Sequence, residues 1–133
     1  MPHGQKPRLL VVEDEPSIGE VCLRILTREG FAVELAVNGR IGMEMITRQD
    51  FDLFLIDIRT PSMSGKDLYK WMLENRGELA GHVMFTTGDM MSEDLLLYIK
   101  GTSRPFLPKP FTPDELIETV KKTWRDIAAR LPA

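Results

Sequence analysis

The chain has 133 residues, of which 43% are hydrophobic and 28% are charged, a balance typical of one globular domain. The net charge of −3 excludes the strongly basic composition that direct nucleic-acid binding or attachment to an anionic membrane needs. The apolar runs are far shorter than the ~20 residues of a membrane-spanning helix.

The start of the chain, MPHGQKPR, lacks the apolar core of a signal peptide. Cys22 is the only cysteine, so no intrachain disulfide can form, which is typical of a reducing compartment. We therefore expect a cytoplasmic protein in which Cys22 is a buried, small hydrophobic side chain. Residues 1–7 are predicted to form a flexible leader, residues 8–130 one domain and residues 131–133 a tail.

Apolar runs separated by turns and helical patterns predict five strands. The runs are LLVV at 9–12, FAVELA at 31–36, LFLI at 53–56, VMFT at 83–86 and FL at 106–107. Four of them are almost continuously apolar, as in strands that are covered on both faces.

Helical patterns follow the strands. An apolar stripe with 3.6-residue spacing begins at Pro16 and ends near Gly30. The last helix begins with TPDE, in which Thr112 caps the helix, Pro113 takes its first position and Glu115 completes a capping box, and it extends to about Arg130. Weaker helices are predicted at 39–48, 65–76 and 92–100. Five strand-helix units in series predict an α/β, doubly wound parallel sheet.

Polar residues follow four of the five strands. They are Glu13 and Asp14 after the first strand, Asp57 after the third, Thr86 and Thr87 after the fourth, and Lys109 after the fifth. Because ligands bind at the carboxyl ends of parallel strands, these residues predict one site. Asp57 alone could simply terminate its strand. Three converging carboxylates, however, stay ionised only with a cation between them, and hard oxygen ligands suit Mg²⁺.

The formal charges of these residues indicate which ion and which substrate the site can accept. Three carboxylates and the Lys109 ammonium leave two negative charges, which a divalent cation neutralises. A neutralised site lets a dianionic phosphoryl donor approach a carboxylate. Asp57 is the expected nucleophile, because aspartate can form an acyl phosphate.

Four segments carry a specific resemblance: LLVVEDEP, LFLIDIRTPSMSG, MFTTGD and FLPKPF. In this order and at these intervals they resemble the receiver domain of two-component response regulators over about residues 8–130. The resemblance implies a flavodoxin-like sheet of order 2-1-3-4-5. It also implies Mg²⁺, with Mn²⁺ as the alternative ion, and a phosphoryl group taken from a histidine kinase or a histidine phosphotransfer protein. Phosphorylation and dephosphorylation of Asp57 are expected without turnover of a separate substrate.

The resemblance also assigns roles to residues. The metal ligands it implies are Glu13, Asp14, Asp57 and the main-chain carbonyl of Arg59, with Asp14 the more direct of the acidic pair. Thr87 and Lys109 are expected to contact the phosphoryl group, and the bond before Pro110 is expected to be cis. Pro61 and Gly65 match the loop after the acceptor strand.

Three departures from the family pattern carry expectations of their own. Phe106 stands where the switch aromatic is often Tyr, so its ring can rotate inward but offers no hydroxyl. Glu13 is one methylene longer than the usual Asp, and we expect it to bind metal-bound water. Arg59 and Asp89 each lie two residues beyond a site residue, and we expect them to pair across the mouth of the site and restrict water.

Three other functions compete with a receiver. A Mg²⁺-dependent phosphatase with an aspartate nucleophile needs a second Asp two residues on, where this chain has Arg59. Flavin or nucleotide binding is disfavoured because EDEP would repel phosphate. A phosphorylation-independent interaction module would keep the fold without the chemistry.

The segment SEDLLLYIK, at 92–100, places five consecutive apolar residues on a helix that buries one stripe. At least one or two of them should face solvent or a partner, unless the buried face is wider or the helix is partly irregular. We expect this helix, the Phe106 strand and the last helix (α4-β5-α5 of a five-helix receiver) to change on phosphorylation and to contact a downstream protein. A monomer or weak homodimer is expected, either free-standing or as the receiver of a hybrid histidine kinase.

Overall fold

Five short strands form one parallel sheet of order β2-β1-β3-β4-β5, the predicted order. The computed structural model describes residues 6–89 and 92–131. Its strands are β1 (Arg8–Val12), β2 (Ala32–Ala36), β3 (Leu53–Asp57), β4 (Val83–Thr87) and β5 (Phe106–Pro108). β2 begins after Phe31 because the amide of Phe31 donates to the Leu26 carbonyl at the end of the preceding helix.

The described residues form six helices, one more than the sequence predicts. They are α1 (Pro16–Arg28), α2 (Gly39–Arg48), α3 (Gly65–Asn75), α4 (Gly77–Ala80), α5 (Glu93–Thr102) and α6 (Pro113–Arg130). The additional helix, α4, is a single turn, too short to show a 3.6-residue apolar pattern. Arg76 separates it from α3 with non-helical dihedral angles, and its guanidinium donates to the Ile46 carbonyl at 2.7 Å.

Alternating strand residues build two separate cores, one on each face of the sheet. The α3/α5 face contains buried residues of α2, α3 and α5 and the strand residues Leu10, Val12, Phe54, Ile56, Val83 and Phe85. The α1/α6 face contains buried residues of α1 and α6 and the strand residues Leu9, Val11, Leu53, Leu55, Met84 and Leu107. Side chains alternate between the two faces along a strand, so these two sets also indicate on which face each residue at the end of a strand lies.

Side-chain caps hold the beginnings of the longer helices. Asn38, Ser64 and Ser92 accept hydrogen bonds from amides three residues ahead, which satisfies donors that the helix leaves without partners. The predicted capping box of α6 is confirmed: Thr112 accepts from the Glu115 amide at 3.1 Å, and Glu115 accepts from the Thr112 amide at 2.8 Å.

Cys22 is 1% exposed within the α1/α6 core, which confirms that it is a buried small side chain. Burial raises the pKa of its thiol to about 12, because the thiolate would lose its water. The thiol is therefore un-ionised at neutral pH and contributes packing.

The apolar run of α5 is divided as the sequence predicts. Leu95 and Ile99 are buried in the α3/α5 core, whereas Leu97 is 66% exposed. The prediction that part of this run faces outward is confirmed.

The ends of the chain lie partly outside the described residues. Pro7, at the end of the predicted leader, accepts a hydrogen bond from the Ala32 amide, and β1 begins at the next residue. Residues 1–5 of the leader and 132–133 of the tail are outside the described part, so this division stays a prediction. Within the described residues, no helix combines the length and apolarity that crossing a membrane requires.

The loop between β3 and α3 is shaped by close backbone contacts. Ser62 and Met63 have φ values of 50° and 75°, and the Thr60 hydroxyl donates to the Met63 carbonyl at 3.1 Å. Gly65, the first residue of α3, donates its amide to the Ile58 carbonyl at 2.9 Å. A Cβ at Gly65 would come within 3.0 Å of the Asp57 carbonyl oxygen, so no larger residue fits there without moving the end of β3.

Gly65→Ala should lower the free energy of unfolding by about 3 kcal/mol, near the upper end for single substitutions, because its Cβ meets backbone. Urea unfolding followed by tryptophan fluorescence measures this loss. Gly77→Ala is the matched control at a helix start, since a Cβ there meets nothing within 4 Å, and it should change stability by no more than about 0.5 kcal/mol. Equal effects of the two substitutions would contradict the close contact.

Candidate functional site

The sheet gathers the predicted polar residues at the carboxyl edge of its strands. Glu13, Asp57 and Lys109 each continue the alternation of the α1/α6 face, and Thr86 shares that face. Thr87, one residue further along β4, continues the α3/α5 face. Two neighbouring threonines thus belong to opposite sides of the sheet.

Lys109 joins two carboxylates from two other strand ends. Its Nζ lies 2.7 Å from Asp57 Oδ2 and 2.6 Å from Glu13 Oε1. The Lys109 side chain is 14% exposed, and those of the carboxylates are exposed by 6% and 3%. Charge-assisted hydrogen bonds with so little competing water are short and strong, so the ammonium has a fixed position.

Burial and charge act against each other in this triad. Burial alone would lower the pKa of Lys109, but hydrogen bonds to Asp57 and Glu13 outweigh it and leave that pKa raised. Burial raises the pKa of Glu13, and the hydrogen bond from Lys109 offsets only part of the rise. Lys109 is therefore protonated at neutral pH, with two acidic groups sharing one cation.

Main-chain amides occupy the other carboxylate oxygens. Asp57 Oδ1 accepts from the Arg59 amide at 3.0 Å, and Glu13 Oε2 accepts from the Glu15 amide at 3.1 Å. Each of these two carboxylates thus has one ionic partner and one amide partner. This arrangement fixes the orientation of the Asp57 side chain at the end of β3.

Glu13, Asp14 and Asp57 can bring carboxylate oxygens within 4.8 Å of one another. Asp14 is exposed, whereas the other two are buried. The donor set consists of hard oxygens and carries more negative charge than Lys109 balances, so it fits a small divalent cation. Both Glu13 oxygens already have partners, which leaves Asp14 the more available ligand. The Arg59 carbonyl lies two residues past Asp57, and its part in metal binding stays a prediction.

Arg59 and Asp89 meet at the mouth of the site. The Arg59 guanidinium lies 2.7 Å from Asp89 Oδ2, with side chains exposed by 58% and 33%. The Asp89 amide donates to Thr87 Oγ1 at 3.1 Å. The predicted pair is present, and its exposure limits the energy of the contact to about 1 kcal/mol or less.

Phe106 and Thr87 lie on the α3/α5 side of the sheet. Phe106 is half-buried against that core, and it pairs in register with Phe85 of β4. The ring of Tyr98 on α5 also contacts Phe85, and the Lys66 ammonium lies 4.6 Å from the centroid of the Tyr98 ring. α5 and β5 thus share one aromatic core beneath the exposed Leu97.

Backbone contacts at the end of β5 hold Lys109 in position. The Lys109 amide donates to the Thr87 carbonyl at 3.0 Å, and the bond between Lys109 and Pro110 is cis. Phe111 packs against the α1/α6 core. The sequence did not predict the contact between Lys109 and Glu13, because the extra methylene of Glu13 was expected to reach metal-bound water instead.

Among known proteins, a family model described as the response regulator receiver domain matches residues 9–121. The transcriptional regulatory protein DltR of Streptococcus agalactiae is 35% identical over 118 residues, which are 89% of this chain and 52% of DltR. The chain spans about half the length of the curated relatives that it matches.

Two solved structures have the same fold over nearly their whole length. The CheY-like receiver domain from Methanospirillum hungatei is 26% identical with a TM-score of 0.85, and the match covers 96% of this chain and 100% of that one. TrrA from Thermotoga maritima, solved in complex with Mg²⁺ and BeF, is 28% identical with a TM-score of 0.75 over 88% and 98%. The fold is therefore flavodoxin-like, and this chain belongs to the response regulator receiver domains of two-component signalling.

Proposed function

We propose that the chain is a phosphoacceptor in a two-component phosphorelay, with Asp57 taking a phosphoryl group from a histidine kinase or a histidine phosphotransfer protein. The observation that carries this proposal is the Lys109 ammonium, 2.7 Å from Asp57 Oδ2 and next to the acidic pair Glu13 and Asp14. The receiver domain would extend over residues 8–130, in the cytoplasm.

In the proposed transfer, one Asp57 carboxylate oxygen attacks the phosphorus of a phosphohistidine. An O–P bond forms while the P–N bond breaks, and the imidazole keeps that electron pair and takes a proton. Lys109 and the Thr87 hydroxyl would hold phosphoryl oxygens. Attack of water on phosphorus would later release inorganic phosphate and restore the Asp57 carboxylate, so no separate substrate is turned over.

The residues that would hold Mg²⁺, or Mn²⁺ in its place, are Glu13, Asp14, Asp57 and the Arg59 main-chain carbonyl. The ion, when bound, supplies positive charge next to the phosphoryl oxygens. The oxygen donors and the uncompensated negative charge of the site support this assignment. The complex of TrrA with Mg²⁺ and BeF is a precedent in a related protein.

The competing phosphatase mechanism lacks its general acid. Position 59 is an arginine, and its guanidinium is bound to Asp89. A phosphorylation-independent interaction module is the remaining alternative. Such a module would not need a buried lysine shared by two buried carboxylates, and burying these three charged groups costs free energy of desolvation.

The output surface would consist of α5, β5 and α6. Thr87 would move toward the phosphoryl group, and Phe106 would turn inward on the same side of the sheet. Leu97, which is 66% exposed on α5, supports contact with a downstream protein there. The net charge of −3 disfavours direct nucleic-acid binding by this domain, and a monomer or weak homodimer is expected.

Asp57→Asn should abolish phosphorylation by acetyl phosphate, because an amide cannot form the acyl phosphate. Intact-protein mass spectrometry measures the added phosphoryl group, and EDTA should prevent it in the wild-type protein. Asp50→Asn is the control, since Asp50 is an exposed carboxylate outside the site. A wild-type protein that takes up no phosphoryl group, or an Asp57→Asn variant that does, would sink the proposal.

Arg59→Ala should shorten the lifetime of the acyl phosphate roughly twofold to fivefold, the range that corresponds to an exposed ion pair. The physical reason is that loss of the contact with Asp89 admits water to the site. Loss of phosphoryl label over time measures the rate. Arg48→Ala removes another exposed pair, with Glu44, and should leave the lifetime unchanged. An unchanged lifetime in the Arg59→Ala variant would rule out this role.

Beryllofluoride with Mg²⁺ should shift the amide NMR signals of α5, β5 and α6, because the proposed movement of Thr87 and Phe106 would alter the core on which α5 packs. Phe106→Leu should reduce the shifts on α5 while keeping those of the loops around Asp57. Asp57→Asn supplies the baseline. Shifts confined to the loops around the site would contradict the proposed output surface.

A further inference from the structure

Thr86 has a buried hydroxyl for which the described residues supply no partner. The residue is 3% exposed, and its Oγ1 is the one buried side-chain oxygen or nitrogen without a hydrogen bond across residues 6–89 and 92–131. Burying a hydroxyl without a partner is destabilising. Valine has nearly the same shape, suits a buried strand and carries no such penalty, so the hydroxyl requires an explanation.

Thr86 lies next to Asp57 on the neighbouring strand. The two residues are register partners in β3 and β4, and the amide of Ile58 donates to the Thr86 carbonyl at 3.0 Å. Both side chains belong to the α1/α6 face, and adjacent strands are separated by about 4.8 Å. The unpartnered hydroxyl therefore lies on the same face of the sheet as the proposed phosphoacceptor, one strand away.

In the described state, each oxygen of the Asp57 carboxylate already accepts one hydrogen bond from another group. Its Oδ2 accepts from Lys109 and its Oδ1 accepts from the Arg59 amide. Phosphorylation changes the hydrogen bonds that Asp57 can accept. One carboxylate oxygen becomes the bridge to phosphorus, and the other becomes the acyl carbonyl oxygen. Under the proposed function Lys109 also turns to the phosphoryl oxygens, so the Asp57 side chain loses a donor.

We propose that the Thr86 hydroxyl donates to the acyl oxygen of phosphorylated Asp57 and so acts as a positioning residue for the acyl phosphate. This inference rests on the proposed function. A hydroxyl reorients by rotation of its side chain, and a buried donor without a partner is ready for an acceptor that appears during the reaction.

The proposed hydrogen bond should increase the rate of dephosphorylation. When water attacks phosphorus, the O–P bond to Asp57 breaks and its electron pair returns to the side chain as a carboxylate. A donor on the acyl oxygen becomes stronger as that negative charge develops, so it favours the leaving group. Thr86 should therefore speed dephosphorylation while holding the carbonyl in one orientation.

Thr86→Val and Thr86→Ser test this, because the first removes the hydroxyl at constant shape and the second keeps it. With ¹³C-labelled aspartate, infrared spectroscopy should place the acyl carbonyl stretch of phosphorylated Thr86→Val at a higher frequency than in wild type. The same variant should dephosphorylate about threefold to tenfold more slowly, the range expected for one hydrogen bond. Thr86→Ser should restore both values.

Stability separates this role from a purely structural one. Unphosphorylated Thr86→Val should resist urea at least as well as wild type, because it loses an unsatisfied hydroxyl. The inference is wrong if phosphorylated Thr86→Val has the wild-type carbonyl stretching frequency and the wild-type acyl-phosphate lifetime, or if Thr86→Ser does not restore both. Either result would leave the proposed function standing. If wild-type protein takes up no phosphoryl group, the proposed function is overturned and this inference with it.

Discussion

The organisation of the site depends on one shared cation. Lys109 comes from the end of β5, at the edge of the sheet, and reaches carboxylates that follow β3 and β1. Its side chain passes Gly88 at the end of β4, where an added Cβ would make an ordinary contact with the Lys109 stem at 3.8 Å. A single ammonium thus ties three strand ends together in an environment with little water.

The residues of the proposed site come from both faces of one sheet. Residues of the α1/α6 face supply the Glu13 and Asp57 carboxylates, the Lys109 ammonium that joins them and the Thr86 hydroxyl. The opposite face holds Thr87, Phe106 and the aromatic contacts that continue into α5. Thr86 and Thr87 are consecutive residues of β4, so the two sets adjoin along that strand.

The strand order and the gathering of Glu13, Asp57 and Lys109 could be predicted from sequence, because buried parallel strands show as apolar runs and their carboxyl ends meet at one edge. The single-turn α4 could not, since four residues carry no periodicity. The contact between Glu13 and Lys109 depends on side-chain rotamers, which a sequence pattern does not report. The sequence shows Thr86 only as part of a polar strand end; that its hydroxyl has no partner among the described residues depends on the positions of all the side chains around it.

The prolines around β5 have a consequence for the outer edge of the sheet. The Pro105 carbonyl and the Lys109 amide both bond inward to β4, so the intervening alternate residues, Phe106 and Pro108, present their backbone outward. Pro108 has no amide hydrogen to present. A three-residue edge with one outward donor is a poor template for pairing with a strand of another molecule. The segment that aims the lysine therefore also protects the open edge against association between sheets.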